Sequence, residues 1–195
     1  DELIASLTAT LEDFDAENIV IPARSGFHYT LPFTGLVEWM PMYSRGDQIT
    51  IKLVGYYPSN PEIFDVPTIL SSVYRFDTRT GHLMAVMDGV LSTALRTGAI
   101  SAVATRLMAH PESKILGMIG CGAQAVTQIH ALSRVMDFEK IMYFDVDDEA
   151  AAALEDRLSP LGIKAELVSS NIPNIVAESD VICTATSIEI GEGPL

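Results

Sequence analysis

The sequence predicts an α/β chain in two parts, because the order of predicted strands and helices changes along its length. Between Pro22 and Asp88, short β-rich pieces are separated by Pro, Gly and Asn, which is typical of an antiparallel or mixed sheet. From residue 115 onward, apolar strands alternate with helical patterns, which favours a parallel sheet with right-handed crossovers. We therefore expect one domain over residues 1–112 and a second over residues 113–195.

The first domain is expected to be an α+β domain built mainly of strands. Leucines and acids at helical spacing in residues 1–17 predict a helix or one end of a helix. Strands are then predicted at residues 35–42, 48–57, 68–77 and 82–88. The loop Asp77-Thr78-Arg79-Thr80-Gly81 ends in glycine and is typical of a hairpin. A helix of small residues follows over 90–109 and ends before Pro111, so the domain boundary is placed near Glu112.

The second domain alternates strand and helix. The predicted elements are a strand at 115–119, a helix at 123–136, a strand at 140–145, a helix at 148–159, a strand at 164–168, a helix at 172–178 and a strand at 180–184. This is one βαβαβ half of a Rossmann-type doubly wound sheet plus one more strand, whereas such domains contain two halves. Because the chain also starts with Asp1 rather than Met, we expect it to begin inside a longer polypeptide and to lack a portion beyond Leu195.

The composition argues against several classes of function. The formal charge of −14 disfavours a nucleic-acid partner, which would need a basic face. No apolar run approaches a membrane span, and the amino terminus has no signal-like pattern. Cys121 and Cys183 are too few for a disulfide framework, and the four histidines show no spacing typical of a metal site or a catalytic triad. A cytoplasmic protein without a metal is expected.

The most informative segment is Gly120-Cys121-Gly122-Ala123-Gln124-Ala125, which follows an apolar strand and opens a helix. Gly120 permits a sharp turn, and Gly122 lacks a Cβ, so a pyrophosphate can approach the N–H groups at the helix start. Ala125 takes the place of the third glycine of a dinucleotide motif. Asp145 lies about 20 positions on, where an acid accepts hydrogen bonds from ribose hydroxyls. This order of elements favours dinucleotide binding over a purely structural turn.

Asp145 also bears on which dinucleotide binds. A carboxylate at that position repels a 2′-phosphate, and no Arg or Lys follows closely in the sequence, so NAD(H) is favoured over NADP(H). The segment from Thr184 to Ser187 follows the last predicted strand. It is expected near the cofactor, because ligands bind at the carboxyl ends of parallel strands.

Arg96 is one of two charged residues in the helix predicted over 90–109. Helical spacing puts it between Ile100, Val103 and Leu107, on a face expected to be buried. A guanidinium there needs an anionic partner. That partner is either an acid of the protein, in a structural ion pair, or the carboxylate of a substrate, which matches the arginine fork.

Lys52 and Arg24 are two further candidates for binding an anion. Lys52 is centred in a predicted strand, with Thr50 and Val54 on the same face. A lysine in that position is most often solvated, but one that faces a cleft can bind a carboxylate or exchange a proton with an amine. Arg24 lies in a loop and is either a surface residue or a further ligand in the same cleft.

Three stretches together resemble one family. They are Met40-Pro41-Met42-Tyr43 with Ile51-Lys52-Leu53-Val54, then Gly81 to Gly89 leading into Thr93-Ala94-Leu95-Arg96-Thr97-Gly98-Ala99, and finally Gly120 to Ala125. From about residue 20 onward, the chain is similar to the ornithine cyclodeaminase and mu-crystallin family. The resemblance implies a homodimer whose first domain carries the dimer contact and the substrate pocket, while the second binds NAD(P)(H).

The resemblance also implies roles for single residues. Lys52 and Arg96 match catalytic residues that bind the substrate carboxylate, and Arg24 matches a third such ligand, although the loop after it differs in length. The implied cofactor ligands are Thr97, Gly120, Gly122, Ala123, Gln124, Asp145, Thr184, Ala185 and Thr186. The catalytic aspartate of the family follows a strand expected beyond Leu195.

The resemblance therefore predicts an NAD-dependent enzyme that acts on the Cα–N bond of an L-amino acid or cyclic imine. An ornithine cyclodeaminase-like reaction, which releases ammonia, is the first choice. The alternatives are a ketimine or imine reductase, an amino-acid dehydrogenase, or a non-catalytic cofactor-binding protein like mu-crystallin. In each case the expected small-molecule partner is an amino or imino acid.

Overall fold

The computed structural model describes residues 1–186, and the chain divides into two compact units. One unit is Asp13–Thr93, and the other combines helix α1 (Glu2–Glu12) with the chain from Ala94 onward. The division passes through the long helix α3 (Val90–Met108), whereas the boundary predicted near Glu112 lies after this helix. The difference arises because Ala99, Ala102 and Val103 of α3 share a buried cluster with Ile4 of α1.

The unit Asp13–Thr93 is an antiparallel sheet with one short helix. Its elements are β1 (Ile19–Val20), β2 (Ser25–Tyr29), β3 (Gly35–Ser44), β4 (Gln48–Tyr56), α2 (Asn60–Phe64), β5 (Ile69–Asp77) and β6 (Leu83–Asp88). The order across the sheet is β1-β3-β4-β5-β6, and β2 also pairs with β3. The four predicted strands are present. Sequence analysis missed β1, β2 and α2, because two to five residues give too little periodicity to recognise.

The hairpin between β5 and β6 is closed by the side chain of Asp77. This carboxylate accepts hydrogen bonds from the guanidinium of Arg79 and from the backbone N–H and hydroxyl groups of Thr80. These donors, led by Arg79, stabilise the ionised form and lower the pKa of Asp77 to about 2. Gly81 completes the turn at a φ of +72°, which glycine adopts readily. The predicted hairpin is confirmed.

The other unit is built on a four-stranded parallel sheet. Its elements after α3 are β7 (Ile115–Ile119), α4 (Ala123–Leu132), β8 (Lys140–Phe144), α5 (Asp148–Ala152), α6 (Leu154–Leu158), β9 (Glu166–Ser169), α7 (Ile172–Glu178) and β10 (Val181–Thr184). The order across the sheet is β10-β7-β8-β9. The chain thus moves outward from β7 to β9 and returns on the opposite side of β7. Ligands of doubly wound folds bind at such a reversal of strand order.

The core of this unit lies between the sheet and helices α4 and α6. Leu116 and Ile141 from the strands, Ile129 from α4 and Leu154 from α6 have no exposed surface. The single helix predicted over 148–159 is wrong, since α5 and α6 are separated by Ala153 and followed by a 3-10 turn, Ser159–Leu161. The Ala153 N–H bonds to both Ala151 and Glu149 carbonyls, which tightens the backbone at the junction.

The prediction that Arg96 lies on a buried face of its helix is also wrong. The buried part of that face is the stretch around Ala99, Ala102 and Val103, where α3 and α1 share a cluster. Arg96 lies one turn before this stretch and is exposed, and Leu107 lies beyond it and is 75% exposed. No helix among the described residues, α3 included, is long and apolar enough to cross a membrane.

Candidate functional site

Gly120 forms the turn that follows β7. Its φ is +95°, in the left-handed region that favours glycine. A Cβ at this position would lie 2.6 Å from the carbonyl oxygen of Ala185, in the segment after β10. Any side chain would therefore push apart the carboxyl ends of β7 and β10, so the fold itself requires glycine here.

Gly122 differs from Gly120 because the fold does not require it. Its φ of −69° is open to any residue, and a Cβ built on it meets no atom of residues 1–186 within 4 Å. Gly122 is the N-cap of α4, so its N–H and those of Ala123 and Gln124 stand at the helix start, where such groups have no partner within the helix. Open space beside helix-start N–H groups fits the close approach of an anionic pyrophosphate.

Two charged side chains hold the backbone of this turn. Arg157, on α6, donates from Nη1 to the Cys121 carbonyl at 2.7 Å and from Nη2 to the Gly122 carbonyl at 2.9 Å. Asp145, after β8, accepts a hydrogen bond from the Cys121 N–H at 2.6 Å. Sequence analysis missed Arg157 because it lies 35 residues after Gly122 and belongs to no recognisable motif. The carboxylate and the guanidinium together bind three backbone polar groups of the turn, namely the Cys121 N–H and the carbonyls of Cys121 and Gly122.

Asp145 retains capacity for a ligand. Its second carboxylate oxygen accepts from the Asp147 N–H at 3.0 Å, so each oxygen carries one backbone hydrogen bond. An ionised carboxylate offers about four acceptor positions in all. The predicted acceptor of ribose hydroxyls therefore lies directly beside the glycine turn and is also part of its support.

Cys121 is a packing residue within the turn. It has no exposed surface. Burial and the Asp145 carboxylate raise the pKa of its thiol to about 11, against an opposing effect of the Arg157 guanidinium. The thiol is therefore neutral around pH 7. Among the described residues, no group of His, Cys, Asp and Glu side chains could hold a metal ion.

The segment after β10 lies against the same turn. The Ala185 N–H donates to the Ile119 carbonyl at 2.8 Å, which extends the pairing of β10 with β7 to the edge of the turn. The structure therefore brings together most of the predicted cofactor ligands at one edge of the sheet, namely Gly120, Gly122, Ala123, Gln124, Asp145, Thr184, Ala185 and Thr186. Ser187, predicted to belong with them, lies outside the described residues.

Thr97 lies on α3, beside α4. Its carbonyl accepts a hydrogen bond from Gln128 Nε2 of α4 at 3.4 Å. The neighbouring Gly98 allows this approach, since a Cβ there would lie 2.4 Å from the Thr127 carbonyl oxygen. Ala125, at the start of α4, is fully buried, which agrees with the need for a small residue in the third glycine place. Close packing of α3 against α4 thus fixes the position of α4, and the start of α4 forms the turn.

In the unit Asp13–Thr93, an acid that was not predicted from the sequence forms an ion pair with Arg24 and lies on the same face of the sheet as Lys52. Lys52 is half-buried at the centre of β4 and pairs with Met40 of β3. Glu38 pairs with Val54, two residues along, so Glu38 and Lys52 are diagonal neighbours on one face of the sheet. Arg24 Nη1 lies 3.5 Å from Glu38 Oε2. The alternation of β3 could have revealed Glu38, but only with the strand register known.

Arg96 lies in the other unit, near the start of α3, with an exposed side chain. The ion pairs found between described residues do not include it. The structural ion pair considered for Arg96 is therefore not observed. Its guanidinium faces solvent, where a ligand can reach it.

The whole chain was compared with known protein families. A sequence model described as the ornithine cyclodeaminase/mu-crystallin family matches residues 2–190. This chain belongs to that family. The resemblance seen in the segments around Lys52, Arg96 and Gly120 is thereby confirmed.

Individual members of the ornithine cyclodeaminase/mu-crystallin family are also similar to the chain. The L-lysine cyclodeaminase of Streptomyces rapamycinicus is 43% identical over 174 residues, which cover 89% of this chain and 50% of that protein. A solved structure of a lysine cyclodeaminase, described for its recognition of L-lysine, L-ornithine and L-2,4-diaminobutyric acid, has a TM-score of 0.91 at 47% identity and covers 98% of this chain and 56% of the other.

A second solved structure is the Δ1-pyrroline-2-carboxylate reductase of Thermococcus litoralis in complex with NADH and L-proline. It has a TM-score of 0.84 at 33% identity and covers 95% of this chain and 57% of the other. The chain spans about half the length of the curated relatives it matches. Relatives of both kinds, cyclodeaminase and imine reductase, share its fold.

Proposed function

We propose that the chain belongs to an NAD-dependent enzyme that acts on the Cα–N bond of an L-amino acid or cyclic imine. One observation carries the proposal: N–H groups at the start of α4 border an open space at Gly122 that the fold itself does not need. Family membership gives this space a ligand, because the related reductase binds NADH. A cyclodeaminase-like reaction is proposed first, given the 43% identity with an L-lysine cyclodeaminase.

The residues around the turn have complementary tasks in holding NAD(H). The N–H groups of Gly122, Ala123 and Gln124 would bind the pyrophosphate, and Asp145 would accept hydrogen bonds from the ribose hydroxyls. Because the Asp145 carboxylate repels a 2′-phosphate, NAD(H) should bind more tightly than NADP(H). When bound, the nicotinamide ring supplies the site for hydride transfer. Equal affinity for NADH and NADPH would contradict this preference.

The substrate would bind as a zwitterion to charged side chains. Lys52 and Arg24 supply cations for the carboxylate, and Glu38 beside them can accept a hydrogen bond from a substrate ammonium. The family motif also gives Arg96 the role of a substrate-carboxylate ligand. β4 is paired on both sides, with β3 and β5, so the backbone of Lys52 is held firmly. Firm positioning is a large part of what such residues contribute to the rate.

The substrate chemistry follows from an oxidation at Cα. Removal of the Cα hydrogen as a hydride, with loss of one proton from the ammonium group, would leave an electrophilic imine, and bound NAD⁺ would supply the hydride acceptor. In a cyclodeaminase the side-chain amine would add to this imine, ammonia would leave, and the hydride would return to Cα of the cyclic imine that results. In a reductase, a cyclic imine receives a single hydride. The related pyrroline-carboxylate reductase favours this second reaction as the alternative.

The two reactions are separated by one set of incubations. The whole polypeptide to which this chain belongs is purified and mixed with L-lysine or L-ornithine and NAD⁺, or with a cyclic imine and NADH, while ammonia and NADH absorbance are followed. A cyclodeaminase releases ammonia without net NADH change, and a reductase consumes NADH only with the imine. Tight NADH binding with no turnover would identify the non-catalytic alternative, and the absence of dinucleotide binding would reject the proposal.

We also propose that the protein is a homodimer that covers the edge strand β6. Leu83, Met84, Val86 and Met87 of this strand are 43–59% exposed. An exposed apolar edge strand invites pairing with another chain unless it is covered. A second copy would remove this surface from water.

A further inference from the structure

We infer that Arg157 is a positioning residue for the cofactor pyrophosphate, because its guanidinium sets the direction of the N–H groups of Gly122 and Ala123. This inference depends on the proposed dinucleotide site and names the side chain that shapes it. Arg157 itself would not touch the reacting atoms.

The direction of these N–H groups follows from the geometry of the peptide bond. In a trans peptide the C=O and N–H groups point in opposite directions, and the peptides of this turn are trans. The Cys121 carbonyl shares its peptide with the Gly122 N–H, and the Gly122 carbonyl shares its peptide with the Ala123 N–H. Since one guanidinium binds both carbonyls, both N–H groups point away from it. Helix-start N–H groups held in this way are available to an anion.

The guanidinium is presented by a rigid part of the fold. Leu154 and Leu158 of α6 are 0% and 1% exposed and share the core cluster with Ala125 and Ile129 of α4. The backbone of Arg157 is therefore fixed relative to α4. On the other side of the turn, Asp145 holds the Cys121 N–H. The turn thus has its binding geometry before the cofactor arrives, which lowers the entropy cost of binding.

The positive charge of Arg157 also favours binding of the pyrophosphate. The formal charge of −14 gives an anionic dinucleotide no long-range attraction to the protein. Arg157 places one positive charge directly behind the N–H groups that would meet the pyrophosphate. Two of its five N–H donors bind these backbone carbonyls, so they act on the fold and not on the ligand.

Two substitutions at Arg157 test the inference. Arg157→Met keeps an unbranched apolar stem and removes both hydrogen bonds, and Arg157→Lys keeps the charge but loses the fork. NADH affinity is measured by fluorescence titration and ADP-ribose affinity by calorimetry. Arg157→Met should raise both dissociation constants about tenfold, the scale of a charge-assisted hydrogen bond, and Arg157→Lys should raise them less. The KM for the amino or imino acid at saturating cofactor should not change.

A matched control is Arg106→Met. Arg106 donates a hydrogen bond to Thr8 Oγ1 of α1 and belongs to the same unit, but it does not contact the turn. The Arg106→Met variant should bind NADH with the same affinity as the unaltered protein. In ¹⁵N-labelled protein without cofactor, the amide signals of Gly122 and Ala123 should shift in Arg157→Met and stay in place in Arg106→Met.

The outcomes separate this inference from the proposed function. If the unaltered protein binds NADH and a folded Arg157→Met variant binds it equally well, the inference is overturned while the proposed function stands. If the unaltered protein binds neither NADH nor ADP-ribose, both are overturned. If Arg157→Met does not fold, Arg157→Lys decides: weaker NADH binding supports the inference, and unchanged binding overturns it.

Discussion

The charged residues of this chain differ in how strongly the fold depends on them. Arg157 is bound to two carbonyls, and Glu38 is 19% exposed beside Arg24. Arg96 faces solvent and takes part in none of the ion pairs of the described residues. An exposed cation can be replaced with little effect on folding, so a loss of activity can be attributed to ligand binding.

Arg96→Leu should therefore affect only the binding of the substrate. The free energy of unfolding should change by less than about 0.5 kcal/mol, as for most exposed positions. The KM for the amino or imino acid should rise about tenfold or more, since a hydrogen-bonded charge pair is lost, while NADH affinity stays the same. Steady-state kinetics and thermal unfolding provide the measurements. Arg79→Leu, at an 83% exposed hairpin arginine, is the control and should leave the KM unchanged; an unchanged KM in Arg96→Leu would remove Arg96 from the site.

Cys121 makes the stability of the fold depend on pH in the alkaline range. Its pKa is raised to about 11 from an ordinary value of 9.0, so the unfolded chain loses this proton first as the pH rises. The contribution to stability is complete below pH 9 and is lost progressively toward pH 11, by up to about 3 kcal/mol. Urea denaturation at pH 8 and pH 10 measures the decline. The decline should be smaller in Cys121→Ala, and an equal decline would assign it to other groups.

At the scale of helices and strands, the sequence predicts the features that depend on residues close together in the chain. Alternation located the long strands of both sheets, and the spacing of Gly120, Gly122 and Asp145 located the turn. Helical periodicity shows which residues share a face but not which element covers that face, and for this reason the burial of Arg96 was predicted wrongly. Arg157 and Glu38 reach their partners through tertiary packing and strand register, which leave no pattern along the chain.

The turn between β7 and α4 offers a paired test of its two glycines. Gly122→Ala should lower the free energy of unfolding by no more than about 1 kcal/mol, because the added methyl group meets open space at a helix N-cap. It should nevertheless weaken NADH binding. Gly120→Ala should destabilise the protein by about 2 kcal/mol or more, owing to its positive φ and the Ala185 carbonyl. Thermal unfolding and NADH titration distinguish them, and normal NADH binding by Gly122→Ala would mean that the open space is not the cofactor cradle.

At the scale of the whole molecule, the exposed apolar surface of β6 is the feature to explain. If a second copy covers this edge, a charge placed on the edge will disrupt assembly. Val86→Lys should convert a dimer to a monomer in light scattering. Each copy would bring one lysine to the paired edge, where the two ammonium groups would lose solvent and repel each other. Leu107→Lys, at a 75% exposed position of α3, is the control and should remain dimeric. A monomeric unaltered protein would contradict the proposed dimer.

The contact between Gly120 and Ala185 also sets the order in which the molecule can be made. The two residues are far apart in the chain, and the turn is closed only when β10 has paired with β7. Ribosomes deliver the chain from its amino terminus, so β7, α4 and β8 emerge well before β10. During synthesis, a nascent chain therefore carries an unfinished turn. The cofactor site forms only after β10 has emerged, and dinucleotide binding would report that β10 has paired with β7.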